Sequence, residues 1–94
     1  MQTARSKVVA DTDQVRITSW EFAPGTATGL HRHEFPYVVV PVTGGSFRVV
    51  SKDGSITEMA QEAGGAYVRD SGAEHDVINS GESFASFVEV ELKR

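Results

Sequence analysis

The chain has 94 residues, enough for one hydrophobic core, so one domain is expected and not a two-domain enzyme. Hydrophobic residues make up 39% and charged residues 23%, a globular balance, and a formal charge of −4 with scattered Lys and Arg argues against nucleic acid as a partner. Zero Cys excludes a disulfide framework, a thiolate metal site and a Cys nucleophile, which leaves three His as the imidazole ligands on offer.

Thirteen Val and three Ile stand against two Leu, and β-branched residues suit pleated sheet better than helix. Nowhere do apolar residues recur at helical spacing over a useful window, whereas alternation is common. No apolar run approaches the ~20 residues of a membrane span, and the N-terminus MQTARSKVVADTD lacks the ~7–15-residue apolar core of a secretory leader. The expectation is a cytoplasmic protein with no membrane partner, residues 1–6 being a flexible end and residues 7–94 a single domain.

In chain order, the first predicted strand covers 15–22, where Val15, Ile17, Ser19 and Glu21 alternate with Arg16, Thr18, Trp20 and Phe22. Phe35 to Thr43 reads as a strand apolar on both faces, followed after Gly44-Gly45 by Ser46 to Lys52. Asp53-Gly54 predicts a two-residue hairpin of type I′, in which both central residues need positive φ. Residues 58–63 have helix-forming side chains but are too few for a helix, and they read as strand. Shorter strands follow at 66–69 and 75–79, with turns at Asp70-Ser71-Gly72 and Ser80-Gly81-Glu82. The last strand, 84–92, puts Phe84, Ser86, Val88, Val90 and Leu92 on one face and Phe87, Glu89 and Glu91 on the other. Many short strands separated by turns every ~8–12 residues point to a sandwich or barrel.

His31 and His33 are two apart in an extended segment, so both imidazoles fall on one side of the chain, which is a metal-ligand spacing. His75 opens a later strand, and a fold that pairs the two segments brings it to the same point. Three neutral imidazoles on Fe, Zn, Ni, Mn or Cu leave coordination positions open, the catalytic pattern rather than the structural one. The alternative is three ordinary polar His with hydrogen-bond partners.

The stretch from Gly25 through His31, His33, Tyr37 and Gly44 resembles the first motif of the cupin family, except that Tyr37 stands where the family has Glu. The stretch from Gly64 through Asp70, Gly72, His75 and Asn79 resembles the second, with Asp70 in place of Pro. Eight of the ten marked positions match, which makes the likeness far more specific than the His pair alone. It covers residues 25–79, and within the family it is similar to small single-domain cupins with an EFAPG…HRHE…YVVVP pattern, some of them named for β-alanine degradation.

The resemblance implies an all-β, antiparallel jelly-roll β-barrel with a divalent transition metal (Fe, Zn, Ni or Mn) held by His31, His33 and His75 at its open end. The family's Glu ligand falls on Tyr37. A phenol of ordinary pKa ~10 needs the metal's field to ionise, so a three-His centre with Tyr37 hydrogen-bonding beside it is expected ahead of a tyrosinate ligand. Its parity with His33 and Phe35 along one unbroken strand turns Tyr37 inward, in position to act as catalytic acid or base. Glu34, Glu74 and Asp76 adjoin the histidines on the opposite face and are expected in solvent, and Asp70 is expected to be a turn residue.

Substrate-binding candidates are Arg69, as a carboxylate anchor, with Tyr67, Phe47, Trp20 and Asn79; for Asn79 a structural hydrogen bond is the competing role. The expected function is a metal-dependent enzyme on a small organic substrate such as a carboxylate, dioxygenase-like by family analogy or else an isomerase or lyase. The alternative is a regulatory or sensor cupin that binds a metal or small ligand without turnover. A barrel this small gives up core volume to a cavity, which favours a homodimer burying Trp20, Phe22, Phe87 or the series Val38, Val40, Val42.

Overall fold

The computed structural model describes residues 2–94. Nine strands follow one another: β1 Arg5–Asp11, β2 Val15–Phe22, β3 His31–Arg32, β4 Tyr37–Pro41, β5 Gly45–Ser51, β6 Ile56–Gln61, β7 Tyr67–Arg69, β8 Glu74–Asn79 and β9 Ala85–Leu92. They form a five-stranded sheet in the order β1-β2-β9-β4-β7 and a four-stranded sheet in the order β3-β8-β5-β6, with antiparallel pairing between these strands throughout. The fold is the expected all-β jelly roll, with its two sheets separate rather than closed into one continuous barrel. No helix of the described residues is long and apolar enough to cross a membrane.

Alternation decides which side chains enter the space between the sheets. Tyr37 and Val39 of β4, Ala85 and Phe87 of β9, Phe22 of β2, Phe47 of β5 and Val77 of β8 are buried. Phe22, Phe47 and Phe87 meet with ring centroids 5.2–5.6 Å apart, edge-on or tilted, as aromatic quadrupoles prefer. This cluster fills one part of the interior. Phe87 also forms a wall of the cavity that opens beside it, so the core and the site share a boundary.

The chain departs from its predicted elements in three places. Residues 5 and 6, expected in a flexible end, begin β1, which pairs along β2; Ala4 is buried and its N–H donates to the Ala27 carbonyl. The predicted strand at 35–43 is shorter, because the chain bends at Glu34-Phe35 and Pro36 has no N–H for a ladder; β4 starts only at Tyr37. The Asp53-Gly54 hairpin is wider than the type I′ turn expected. Residues 52–55 connect the strands, Gly54 alone has positive φ (89°), and the Asp53 carboxylate accepts from Ser55 N–H and Oγ.

Candidate metal centre

His31 on β3 and His75 on β8 are direct cross-strand partners. Beyond β3 the chain stays alongside β8: His33 N–H donates to the Ala73 carbonyl at 2.9 Å, and Gly72 N–H donates to the His33 carbonyl at 2.7 Å. Gly72, with φ of 96°, makes a turn most residues resist, and this turn sets His75 opposite His31. The two-residue spacing of His31 and His33 and the antiparallel register of β8 thus deliver three imidazoles to one point.

There His33 Nε2 lies 3.1 Å from His31 Nε2 and 3.2 Å from His75 Nε2. His31 Nδ1 lies 2.8 Å from the Gly29 carbonyl, which can only accept, so Nδ1–H is directed to the backbone and Nε2 is the nitrogen that faces the other imidazoles. Burial, with the neighbouring His31 and His75, lowers His33 to about 4, and burial first of all lowers His75, so both are neutral and competent to ligate at neutral pH. Nitrogens bound to one metal at ~2.1 Å lie about 3.0 Å apart at right angles and about 3.4 Å apart at the tetrahedral angle. Both separations from His33 fall between these values, and all three ligand nitrogens lie within 4.8 Å of one another. The three histidines can hold a metal.

Beside the histidines is a cavity of about 370 Å³ walled by Val39, Val49, Met59, Val77 and Phe87, with Tyr37, Tyr67, Arg69, His75 and Glu89 as its main polar groups. Tyr37 faces inward as expected, although through the parity of β4 itself, since the strand from His33 is broken. Its ring lies flat on His33, centroids 3.8 Å apart, and burial, with the Glu89 charge behind it, pushes its phenol up to about 12. Tyr37 is therefore a hydroxyl donor at neutral pH. Tyr67 and Arg69 are in the wall, the Arg69 guanidinium standing 4.4 Å over the Tyr67 ring. Tyr67 Oη accepts from Gln61 Nε2 at 2.9 Å.

Three expected pocket residues are elsewhere. Phe47 is fully buried in the aromatic cluster. Asn79 is also buried: its Nδ2 donates to the Phe22 and Ser83 carbonyls, and its Oδ1 accepts from Gly81 N–H, so its amide is spent on the backbone. Trp20 packs against the core and sends its indole N–H to Glu89 Oε1 at 3.1 Å, reaching the cavity only through that carboxylate. Of the acidic neighbours, Asp76 accepts from Gly29 N–H, Glu74 lies 3.5 Å from Lys52, and Glu34 and Asp70 are exposed.

Glu89 is the site residue that sequence reasoning missed. Its side chain is 12% exposed, its Oε2 lies 3.8 Å from His33 Nε2, and burial raises its carboxyl to about 7. The signal was its parity with Phe87 in the last strand: once the phenyl faces the core, the carboxylate two residues on must face it too.

No family model matches the sequence. The chain is 44% identical over 86 residues to the β-alanine degradation protein BauB of Pseudomonas aeruginosa, covering 92% of this chain and 90% of that one. Its structure is similar to the crystal structure of a cupin domain from Bordetella pertussis Tohama I, with a TM-score of 0.93 and 39% identity over 99% of this chain and 96% of the other. A double-stranded β-helix protein from Klebsiella pneumoniae, 23% identical with a TM-score of 0.79 over 97% of this chain and 77% of its own, shares the fold.

Proposed function

The chain belongs to the cupin family, and from that premise we propose that it is a metal-dependent enzyme acting on a small carboxylate. The observation that carries this reading is the convergence of three imidazole nitrogens at a cavity with apolar walls and a guanidinium. His31, His33 and His75 would hold a divalent transition metal (Fe, Zn, Ni or Mn), which would supply Lewis-acid chemistry or, as iron, oxygenase chemistry. Oxygenase-like chemistry is the preferred class, with isomerase or lyase chemistry as the other.

The chain's own residues then have separate tasks. Arg69 holds the substrate carboxylate through two parallel N–H donors, and its stacking on Tyr67 fixes the plane of that fork. Val39, Val49, Val77 and Phe87 keep water from the bound carbon chain. Tyr37 keeps its proton and offers it to a substrate oxygen, as a donor and acid rather than a base. The name of the Pseudomonas aeruginosa relative directs the choice of substrate to β-alanine and to products of it that keep the carboxylate.

The test is turnover, with O₂ uptake recorded, by metal-loaded protein on small carboxylic, amino and keto acids. Arg69→Met is expected to raise KM ~10–100-fold with kcat nearly unchanged, the worth of a charge-assisted hydrogen bond made equally in ground and transition states. Metal-loaded protein that binds these acids and converts none of them sinks the enzyme reading. A regulatory or sensor cupin without turnover then stands, a reading favoured by the short connections at 52–55, 62–66 and 70–73, none of which is long enough to form a lid.

We also infer that the partner of the chain is a second copy of itself. Phe22 and Phe87, expected at the interface, are in the core. What the five-stranded sheet presents outward is an uncharged apolar row, Ile17 beside Val90, Val90 beside Val38, Val38 beside Val68, and Val40 beside Val88. Two such rows match each other, with Arg5, Lys7 and Glu21 flanking them on the same face. Light scattering at micromolar concentration is expected to give the mass of two chains, and the mass of one for Val88→Lys. A monomeric parent protein ends this proposal.

A further inference from the structure

We propose that Glu89 is the fourth protein ligand of the metal centre, a carboxylate supplied by β9 in place of the Glu that β4 lacks. The proposal rests on the three-His metal reading above and adds to it a residue that neither cupin motif contains.

The register explains how β9 can do this. Tyr37, at the family's Glu position, lies opposite Glu91, while Glu89 lies opposite Val39, so Tyr37 and Glu89 are diagonal neighbours on the same inner face. Across the other flank of β9, Trp20 lies opposite Phe87 and is diagonal to Glu89 in the same way. The indole takes that diagonal: Trp20 Nε1–H donates to Glu89 Oε1 at 3.1 Å. One carboxylate oxygen is thereby anchored, and the other, Oε2, points to the histidines, 3.8 Å from His33 Nε2.

His33 Nε2 is also the nitrogen that stands 3.1 and 3.2 Å from the other two imidazoles, so all four groups converge around it. Two ligand atoms on a metal at ~2.1 Å are about 3.0 Å apart when adjacent and about 4.2 Å apart when opposite, and 3.8 Å lies within that range. Among the described residues, Oε2 has no hydrogen-bond donor and Glu89 no Lys or Arg partner: Arg16 goes to Asp11 and Glu91, and Arg69 sits over Tyr67. A carboxylate oxygen turned to the cavity without a protein donor, beside three convergent imidazole nitrogens, is suited to share one cation with them. A divalent metal bound by all four groups carries a net single positive charge rather than two.

The experiment is chelator competition for Zn²⁺ on metal-free protein, with the visible spectrum of the Co²⁺ form as a direct report on coordination. Glu89→Gln, which keeps the shape and an acceptor for the indole, is expected to weaken Zn²⁺ binding by roughly 100-fold and to change the Co²⁺ spectrum. Trp20→Phe, which leaves the carboxylate but frees it, is expected to weaken binding by roughly 10-fold. His75→Ala separates this proposal from the reading it rests on. If His75→Ala binds metal as the parent does, the three-His centre itself fails; if His75→Ala loses metal while Glu89→Gln matches the parent in affinity, only the Glu89 assignment fails. An unchanged Co²⁺ spectrum in Glu89→Gln also overturns the assignment, whatever the affinity.

Discussion

Purified without a His tag, the protein is expected to retain close to one metal per chain, and His75→Ala less than about 0.1, because a site that loses one of its three convergent nitrogens binds too weakly to keep even Zn or Ni through washing. The site makes this loss steep. His31 and His75 are held opposite each other by β3–β8 pairing, and His33 is fixed by two backbone hydrogen bonds around Gly72, so the remaining imidazoles cannot move to fill the vacated position. Glu74 and Asp76, the carboxylates nearest in sequence, are engaged with Lys52 and Gly29. The variant should stay folded, since His75 is only half-buried and its backbone bonds do not depend on its ring. Elemental analysis with circular dichroism on the same samples checks both statements. Background metal in parent and variant alike sinks the metal centre.

The sequence made much of this centre legible, and for a physical reason. Period-two alternation in strands and the His-x-His spacing are local, so they survive without knowledge of the partners, and the same parity rule placed Tyr37, Tyr67 and Arg69 at the cavity. What stayed hidden depends on which strand lies beside which. Nothing within 5–11 shows that Arg5 and Ser6 will pair with Glu21 and Trp20. Glu89 alternates with Val88 and Val90 like any surface carboxylate in an amphipathic strand; only the neighbours of β9, with β2 on one side and β4 on the other, place it against His33 and Trp20. Phe47 and Asn79 were misplaced for a related reason. Inward parity does not distinguish the part of the interior filled by the aromatic cluster from the part left open as a cavity.

Asn79 gives the clearest consequence of that distinction. If its amide faced a substrate, Asn79→Ala would raise KM and leave stability nearly intact. The structure predicts the reverse, because the residue is 1% exposed and its amide ties the end of β2 to the connection between β8 and β9. Its Nδ2 donates to the Phe22 carbonyl at 3.1 Å, at the end of β2, and to the Ser83 carbonyl at 2.9 Å, before β9; its Oδ1 accepts from Gly81 N–H at 3.0 Å. Truncation to Ala leaves two carbonyls and one N–H without that partner. At ~1–3 kcal/mol for each buried group left unpaired, with some of them regaining water near the surface, the loss is expected to be about 3–5 kcal/mol. Asn79→Asp should not rescue it: the acceptor for Gly81 remains, but the donor is gone and a carboxylate now faces two carbonyl oxygens. Urea unfolding checks this, a lower midpoint at equal slope reporting the loss of stability. Zinc affinity of the folded variant should match the parent, because none of the groups tied by Asn79 carries a ligand to the centre. A variant that melts like the parent but binds small carboxylates more weakly would return Asn79 to the substrate pocket and remove the division between core and cavity drawn at Phe87.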